Sequence, residues 1–324
     1  MARRPLRRLA RLLPPPVRRA TGRLGRGLST TTRRVAVTGA GGRLGRALMA
    51  RLRESGREAA GWGRPDYDLD DPTAAARLVA RDRPAVVIHA AAWTDVDGCA
   101  REPEIAMRRN AAAAAELAEA CAQAGTALVV VSTNEVFDGE RSDGQGYSEA
   151  DAPRPINPYG ASKLAGEVAA RRAYAAAGKS APLWIVRTAW LYGPPGNDFP
   201  SKILAAARRL PPGEPLRVVT DETGSPTYAP DLATAIVRLL DAAPGGVYHL
   251  AGLGAASRHA WAQRVLAAAG LDAPLMAAFR ADFPRASTPP AWAVLDSSLA
   301  AGLGISLRPW QDAFDEYAGG SLGG

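Results

Sequence analysis

Apolar residues along this chain follow two alternating patterns from Arg34 onward. Short runs rich in valine, isoleucine and leucine indicate buried strands, and longer amphipathic or alanine-rich stretches indicate helices. The pattern predicts strands at Val35–Thr38, Glu58–Trp62, Ala85–Ala90, Ala127–Ser132, Leu183–Thr188 and Val247–Leu250. It predicts helices near residues 43–55, 71–81, 102–124, 158–177, 198–209, 230–242 and 257–269. Strands that alternate with helices are typical of an α/β fold with a doubly wound parallel sheet.

Beyond about residue 188 the predicted elements become shorter and richer in proline and glycine. This change predicts a smaller C-terminal lobe, interleaved with the last parts of the main sheet. We expect the main lobe to comprise residues 34–188 and the smaller lobe most of residues 189–318, with residues 220–250 contributing to both. The sequence contains no clean linker between the two lobes and no repeat of solenoid length.

Positive charge is concentrated at the N-terminus. The 324 residues carry a formal net charge of +8, but residues 1–34 hold eleven arginines and no acidic residue, which leaves a faintly acidic remainder. We interpret residues 1–33 as a basic leader outside the folded body. A disordered extension, or an upstream segment translated from a misassigned start, is favoured over an organellar transit peptide. Because the leader lacks interleaved aromatic residues, we expect no nucleic-acid partner.

The remaining composition narrows the class of protein further. The sequence has no unbroken apolar run of membrane-spanning length, so we expect neither a secretory signal nor a membrane partner. Cys99 and Cys121 lie in alanine-rich sequence without the spacing of metal ligands. They predict a reduced, cytoplasmic protein without a metal site.

A glycine-rich segment follows the first predicted strand. Gly39, Gly42 and Gly45 are three residues apart and open the first predicted helix, where a phosphate can approach the main chain closely. Such a spacing alone is weak evidence in a chain with 33 glycines, but its place between a strand and a helix favours a dinucleotide site. Near the end of the second strand stands Arg64, whose guanidinium suits a 2′-phosphate, so NADPH is favoured over NADH.

Tyr159 and Lys163 form a candidate reactive pair. They lie four residues apart on a helix that we expect to start after an Asn157 N-cap, so both side chains share one face. A nearby ammonium is expected to lower the pKa of the phenol and allow proton exchange. The fourth strand ends near Thr133 and would place a hydroxyl at the carboxyl edge of the sheet, where ligands bind in such folds.

These motifs together resemble the extended short-chain dehydrogenase/reductase superfamily, and within it the dTDP-4-dehydrorhamnose reductases. The resemblance covers about residues 34–315. Its motifs are Thr38–Gly45, Ile88–Asp97, Ser132–Gly139, Asn157–Glu167, Arg187–Gly193, Asp221–Thr227 and Pro290–Asp296. The resemblance implies a Rossmann-like NAD(P)-binding lobe and a smaller substrate-binding lobe.

The resemblance also implies a reaction, in which NADPH reduces the 4-keto group of a dTDP-linked 4-keto-6-deoxy sugar. Tyr159 would donate the proton, Lys163 would hold the nicotinamide ribose, and Thr133 would bind the ketone oxygen. NADH remains possible as the cofactor, and a homodimer is possible. The residues expected around the cofactor, besides Tyr159 and Lys163, are Gly39, Gly42, Arg43, Leu44, Gly45, Arg64, Asp68, Leu69, Ala91, Ala92 and Thr94.

On the substrate side, the resemblance implies that Trp190 packs on the sugar ring, with a core tryptophan as the alternative. Asn110 is equally compatible with a structural residue near the active site and with a surface residue. Asn134 and Glu135 replace the Asp-Tyr pair usual in the family and face the sugar there, which predicts an altered substrate preference. Pro289 and Glu222 replace a usual arginine and glutamine.

Two other functions stay open. One is an epimerase or dehydratase of the same superfamily, although a dehydratase would need an acid where Asn134 stands. The other is a regulatory subunit that binds NADP without catalysis, which the retention of Tyr159 and Lys163 does not exclude.

Overall fold

The computed structural model describes residues 34–178, 181–211 and 213–321, so the predicted leader lies outside the described residues. The strands are β1 (Val35–Thr38), β2 (Ala59–Trp62), β3 (Val86–His89), β4 (Ala127–Thr133), β5 (Leu183–Thr188), β6 (Leu191–Tyr192), β7 (Leu216–Val219), β8 (Thr223–Gly224), β9 (Thr227–Tyr228), β10 (Gly246–His249), β11 (Ala256–Ser257), β12 (Leu275–Ala278) and β13 (Trp292–Ala293).

The α-helices are α1 (Arg43–Glu54), α2 (Ala74–Asp82), α3 (Val96–Arg101), α4 (Pro103–Ala106), α5 (Ala113–Ala124), α6 (Pro158–Ala177), α7 (Phe199–Ala207), α8 (Ala229–Ala242), α9 (Arg258–Ala268), α10 (Ser298–Ala301) and α11 (Trp310–Ser321). None of the helices in the described ranges is long and apolar enough to cross a membrane.

Six strands form one parallel sheet in the order β2-β1-β3-β4-β5-β10. These are the six strands predicted from the sequence, and each observed end lies within one residue of the predicted one. Because β1 lies between β2 and β3, the order of the strands reverses there and opens a crevice at their carboxyl ends. The predicted α/β doubly wound, Rossmann-like fold is confirmed.

Helices cover both faces of this sheet. Helices α1 and α8 pack on one face, and α2, α5 and α6 pack on the other. All four residues of β1 and all four of β3 are buried, as expected for central parallel strands covered on both sides. This burial holds the strand ends, and therefore the site above them, on a rigid base.

One predicted helix is interrupted. The stretch predicted as a single helix over residues 102–124 consists of α4, a π-helical segment at Met107–Ala112, and α5. Alanine-rich sequence carries no signal for a π-helix, because the extra residue per turn depends on what the segment packs against.

The smaller lobe contains a three-stranded sheet, β11-β8-β13, and the two-stranded pairs β12-β7 and β6-β9. None of these strands was predicted. Most of them have only two residues, and the four-residue strands β7 and β12 are largely unburied, so they lack the continuous apolar run of the main-sheet strands. Its core includes an aromatic cluster of Tyr192, Tyr228, Trp261, Phe314 and Tyr317. Helix α8 and strand β10 belong to the main sheet layer although they come late in the chain. The division between lobes near residue 188 stays a prediction.

Candidate active site

The glycine-rich segment lies at the carboxyl end of β1, next to the end of β3. Gly39 has a φ of +65°, and a Cβ there would lie 2.9 Å from the Cα of Ala91. A Cβ on Gly45 would lie 2.1 Å from the carbonyl oxygen of Gly39. Both positions therefore need glycine, and Leu44 beside Gly45 is buried in the core. The result is a tight main-chain loop at the start of α1, with Gly42 exposed on its outside.

The segments after β2 and β3 form the neighbouring walls. Ala91, Ala92 and Thr94 follow β3, and the amide of Ala91 donates to the Thr38 hydroxyl at 3.1 Å. Arg64, Asp68 and Leu69 follow β2, with Arg64 exposed. The predicted cofactor residues of the main lobe therefore lie along one edge of the sheet.

Arg109 joins these two walls. Its guanidinium binds the Asp70 carboxylate with contacts of 2.6–3.0 Å and lies 5.4 Å from the centroid of the Trp93 ring. Asp70 belongs to the segment after β2, and Trp93 belongs to the segment after β3. Arg109 therefore links the segments that follow β2 and β3.

Asn110 is buried in the π-helical segment, so a surface role for it is wrong. Its side-chain nitrogen donates to the carbonyl of Trp93 at 3.0 Å and to the Ser162 hydroxyl at 3.1 Å, and its oxygen accepts from the amide of Trp93 at 2.8 Å. Asn110 therefore ties the segment after β3 to helix α6, which carries Tyr159 and Lys163.

Arg43 points toward the smaller lobe. Its Nε donates to the carbonyl of Gly193 at 2.9 Å and its Nη2 donates to the carbonyl of Gly196 at 2.5 Å. The residue that was expected around the cofactor thus connects the glycine-rich loop with the loop after β6. A contact of Arg43 with the cofactor stays a prediction.

The start of α6 places Tyr159 against the end of β4. Asn157 caps the helix as predicted, since its side-chain oxygen accepts from the amide of Gly160 at 2.8 Å. Gly160 packs so closely that a Cβ would lie 2.0 Å from the carbonyl oxygen of Glu135. This contact brings the Tyr159 phenol within hydrogen-bonding reach of the Thr133 hydroxyl.

The phenol of Tyr159 has a pKa raised above its ordinary value. Burial is the main cause, the negative charge of Glu135 adds to it, and the hydrogen bond with Thr133 opposes it. The expectation that Lys163 lowers this pKa is wrong, because desolvation of the phenolate outweighs other effects in the described structure. A raised pKa keeps the phenol protonated at neutral pH, which is the state that a proton donor needs.

Lys163 lies one turn further along α6 and is buried. Burial lowers the pKa of its ammonium to about 8, and the carboxylate of Glu167 opposes this shift. The positive charge of Lys163 in turn helps to lower the pKa of His89, at the end of β3. His89 also hydrogen-bonds with Thr38 at 2.9 Å, so the charge of Lys163 acts where β1 and β3 end.

Glu167 is held in a buried network below Lys163. It accepts from the Ser132 hydroxyl at 2.6 Å and from two nitrogens of Arg187 at 2.7 and 3.0 Å. A buried carboxylate that accepts charge-assisted hydrogen bonds on this many sides is fixed in position. It gives the ammonium of Lys163 a nearby negative charge.

The two residues that depart from the family pattern lie next to Thr133. Asn134 is buried, and its side chain accepts from the Thr133 hydroxyl at 3.2 Å and donates to the carbonyl of Ala293 at 3.2 Å. Glu135 accepts from the side-chain nitrogen of Asn157 at 2.7 Å, and burial raises the pKa of its carboxyl. The charge of Glu135 acts on the Tyr159 phenol, whereas both polar ends of the Asn134 side chain are engaged within the protein.

Trp190 has a left-handed backbone, with a φ of +41°, and a closely packed ring. A Cβ on Gly224 would lie 2.5 Å from that ring, and the ring stacks on Trp261 with a centroid distance of 5.9 Å. The guanidinium of Arg258 lies 3.5 Å from the ring centroid. The core interpretation therefore accounts for the Trp190 contacts in the described structure, and sugar stacking stays a prediction.

A cavity of about 790 Å³ extends from Glu222 and Arg258 into the smaller lobe. Cationic side chains dominate its polar lining: Lys202, Arg217, Arg258, Arg280 and Arg285. Its size fits a ligand larger than a monosaccharide, and its charge favours an anionic one. The described residues contain no group of acidic, histidine and cysteine side chains that could hold a metal ion.

A protein-family model described as RmlD substrate binding domain matches residues 33–320. The chain belongs to this family. It is 39% identical over 287 residues to the dTDP-4-dehydrorhamnose reductase of Mycobacterium tuberculosis, covering 86% of this chain and 90% of the relative. It is 36% identical over 241 residues to the dTDP-4-keto-6-deoxy-D-glucose reductase of Streptomyces niveus, covering 74% and 80%. The crystal structure of Bacillus anthracis dTDP-4-dehydrorhamnose reductase in complex with NADP has a TM-score of 0.81, with 31% identity and 89% and 99% coverage.

Sequence reasoning missed most of the cavity of this RmlD-family chain. The sequence has 37 arginines, so single arginines in the C-terminal third carried no signal. Of the two departures that pointed there, Glu222 pairs with Arg258 at 3.3 Å. Pro289, where an arginine was expected, lines the same cavity.

Proposed function

We propose that the protein is an NADPH-dependent reductase that reduces the 4-keto group of a dTDP-linked 4-keto-6-deoxy sugar. The reaction is of the type that converts dTDP-4-dehydro-L-rhamnose to dTDP-L-rhamnose. The observation that carries this proposal is the contact of the protonated Tyr159 phenol with Thr133, between a glycine-rich phosphate loop and a basic cavity. The names of its relatives, which are reductases of dTDP-linked sugars, support the same activity.

The residues at the cofactor end fit a dinucleotide. The close approaches at Gly39 and Gly45 leave main chain, without side chains, at the start of α1, where phosphates bind. Gly42, Arg43 and Leu44 complete the loop, while Arg64, Asp68 and Leu69 would receive the adenosine half. The rest of the dinucleotide site would be lined by Ala91, Ala92, Thr94 and Lys163. When bound, NADPH supplies the hydride, and the NADP complex of the Bacillus anthracis relative supports this cofactor.

The residues of this chain supply the proton. Tyr159 donates its phenolic proton to the oxygen of the reduced ketone, and the raised pKa ensures that the proton is present beforehand. Thr133 hydrogen-bonds to the same oxygen and orients it. The ammonium of Lys163, beside the Glu167 carboxylate, would hold the nicotinamide ribose.

The substrate would extend from Tyr159 into the basic cavity. Glu135 would contact the sugar, since it is the polar side chain that faces the phenol. We retain Asn134 and Trp190 as predicted neighbours of the sugar. The homodimer, the cytoplasmic location and the division of the two lobes at residue 188 also remain predictions.

The test uses the purified full-length protein with NADPH and dTDP-4-keto-6-deoxy-L-mannose. We expect the absorbance of the reduced nicotinamide to fall as dTDP-L-rhamnose forms, with the product identified by NMR. A panel of dTDP-, UDP- and GDP-linked 4-keto sugars, each with NADPH and NADH, defines the preference. A protein that binds NADPH but reduces none of them would contradict the proposal and favour a regulatory subunit.

A further inference from the structure

Arg258 stands at the inner end of the basic cavity, at the first position of α9. Its guanidinium lies 3.5 Å from the centroid of the Trp190 ring and 5.1 Å from that of Phe199. Its Nε donates to the Glu222 carboxylate at 3.3 Å, and about a quarter of the side chain, 24%, remains exposed. Two aromatic rings and one carboxylate thus hold the guanidinium in place.

Two of the other guanidinium groups of the cavity are more fully engaged, and the third, Arg217, is about half exposed and contacts Asp282 at 3.4 Å. Arg285 binds Asp97 through two nitrogens, each at 3.0 Å. Arg280 binds Asp221 at 3.3 Å and the carbonyl of Pro289 at 2.9 Å. In the described part of the chain, both terminal nitrogens of Arg258 lack a hydrogen-bond partner. The edge of the guanidinium that can bind an anion with two parallel hydrogen bonds is therefore open to the cavity.

Packing connects Arg258 with the end of β4. The side-chain nitrogen of Asn134 donates to the carbonyl of Ala293 at 3.2 Å, and Ala293 pairs with Gly224. A Cβ on Gly224 would lie 2.5 Å from the Trp190 ring, which Arg258 covers. The charge of Glu135 acts on both the Tyr159 phenol and the Arg258 guanidinium. In a nucleotide sugar, the phosphoryl group is attached at C1, across one hexose ring from C4. A ring whose C4 faces Tyr159 beside Glu135 would direct its phosphoryl group toward Arg258.

We propose that Arg258 binds the phosphoryl group attached to the sugar and makes the protein selective for nucleoside diphosphate sugars over unphosphorylated ones. A guanidinium edge matches two phosphoryl oxygens in geometry and charge. Trp190 supports the guanidinium through a cation–π contact, and Glu222 orients it through Nε. Arg258 thereby supplies planar donors to the cavity wall on which Pro289 replaces the expected arginine.

This inference rests on the proposed nucleotide-sugar substrate, and ligand binding tests it without turnover. The variants are Arg258→Leu, Arg258→Lys and the control Arg264→Leu. Arg264 lies on the same helix but pairs with Asp315 on the surface, outside the cavity. The probes are dTDP, measured by isothermal titration calorimetry, and thymidine, measured by ligand-observed NMR, both with saturating NADP.

We expect Arg258→Leu to weaken dTDP binding at least about tenfold, as expected for the loss of charge-assisted hydrogen bonds. Thymidine and NADPH binding should be unchanged. Arg258→Lys should give an intermediate loss, since it keeps the charge but loses the planar pair of donors. Arg264→Leu should bind all three ligands like the wild type.

Two results would overturn the inference: unchanged dTDP binding in Arg258→Leu, or an equal loss of dTDP and thymidine, which would indicate a structural role. These outcomes differ from a failure of the proposed function. A wild-type protein that binds dTDP through Arg258 but reduces no 4-keto sugar would contradict the proposed function alone.

Discussion

The cofactor end of the candidate site is built from main chain, and the substrate end is built from long charged side chains. At the first end, Gly39 and Gly45 bring backbone segments into contact at distances that no side chain would permit. At the second end, Arg258 and Arg285 come from the distant C-terminal third and are held by carboxylates of other elements. In the proposed reaction the two ends meet at Tyr159.

This difference affects how each end tolerates amino-acid substitution. The main-chain loop depends on a few glycines within one β-α unit, so its geometry survives many substitutions elsewhere. The cavity depends on separate pairs of side chains from different elements, such as Glu222 with Arg258. We therefore expect variation among substrates to be concentrated in the smaller lobe, while the use of a dinucleotide stays constant.

The largest effect is expected where the two ends meet. Tyr159→Phe removes the proton donor and should lower kcat about 1,000-fold, within the range of general acid catalysis. NADPH and dTDP affinities, measured by calorimetry, should remain within a factor of two or so, because the ring is kept. A variant with an unchanged rate would remove Tyr159 from the mechanism.

The next prediction distinguishes the cofactor end from the substrate end by their ligand affinities. Gly45→Ala introduces a Cβ 2.1 Å from the Gly39 carbonyl oxygen and should lower the free energy of unfolding by about 1–3 kcal/mol. NADPH affinity should fall as well, while dTDP affinity of the folded variant is retained. Gly319→Ala is the control, since a Cβ there meets no atom within 4 Å. If Gly45→Ala weakened dTDP instead of NADPH, the distinction between the ends would be wrong.

A pH profile tests the charge on Lys163. Its pKa, lowered to about 8, means that the ammonium is present below that pH and lost above it. The kcat/KM should therefore fall about tenfold per pH unit as the pH rises beyond about 8. Lys163→Arg keeps a charge throughout this range, so its lower rate should show no break there. A break that persisted in Lys163→Arg would belong to another group.

The smallest effect is expected for the exposed Arg64 at the cofactor end. Arg64→Ala should weaken NADPH about fivefold and leave NADH unchanged, because an exposed guanidinium contributes little to a phosphate contact. Titration of both cofactors by fluorescence compares them directly. Equal losses for NADPH and NADH would refute a contact with the 2′-phosphate.

The strands of the main lobe could be predicted from local sequence. Runs such as Val86–His89 are buried on both sides, and their apolar character is visible without knowledge of their neighbours. The cap at Asn157 was also predictable, because it depends on residues three positions apart. Three features could not be predicted, because each depends on contacts between distant segments. They are the strands of two residues, the π-helical segment around Asn110 and the pairing of Glu222 with Arg258.

By itself, the sequence determined the doubly wound sheet, the glycine-rich loop and the spacing of Tyr159 and Lys163, because these follow from periods and offsets within short segments. Tertiary structure alone decided the electrostatics. The phenol of Tyr159 has a raised pKa because packing buries it beside Glu135, which outweighs the ammonium that the spacing suggested. It also decided that Arg258 covers Trp190 within a basic cavity, because burial and charge depend on which surfaces meet.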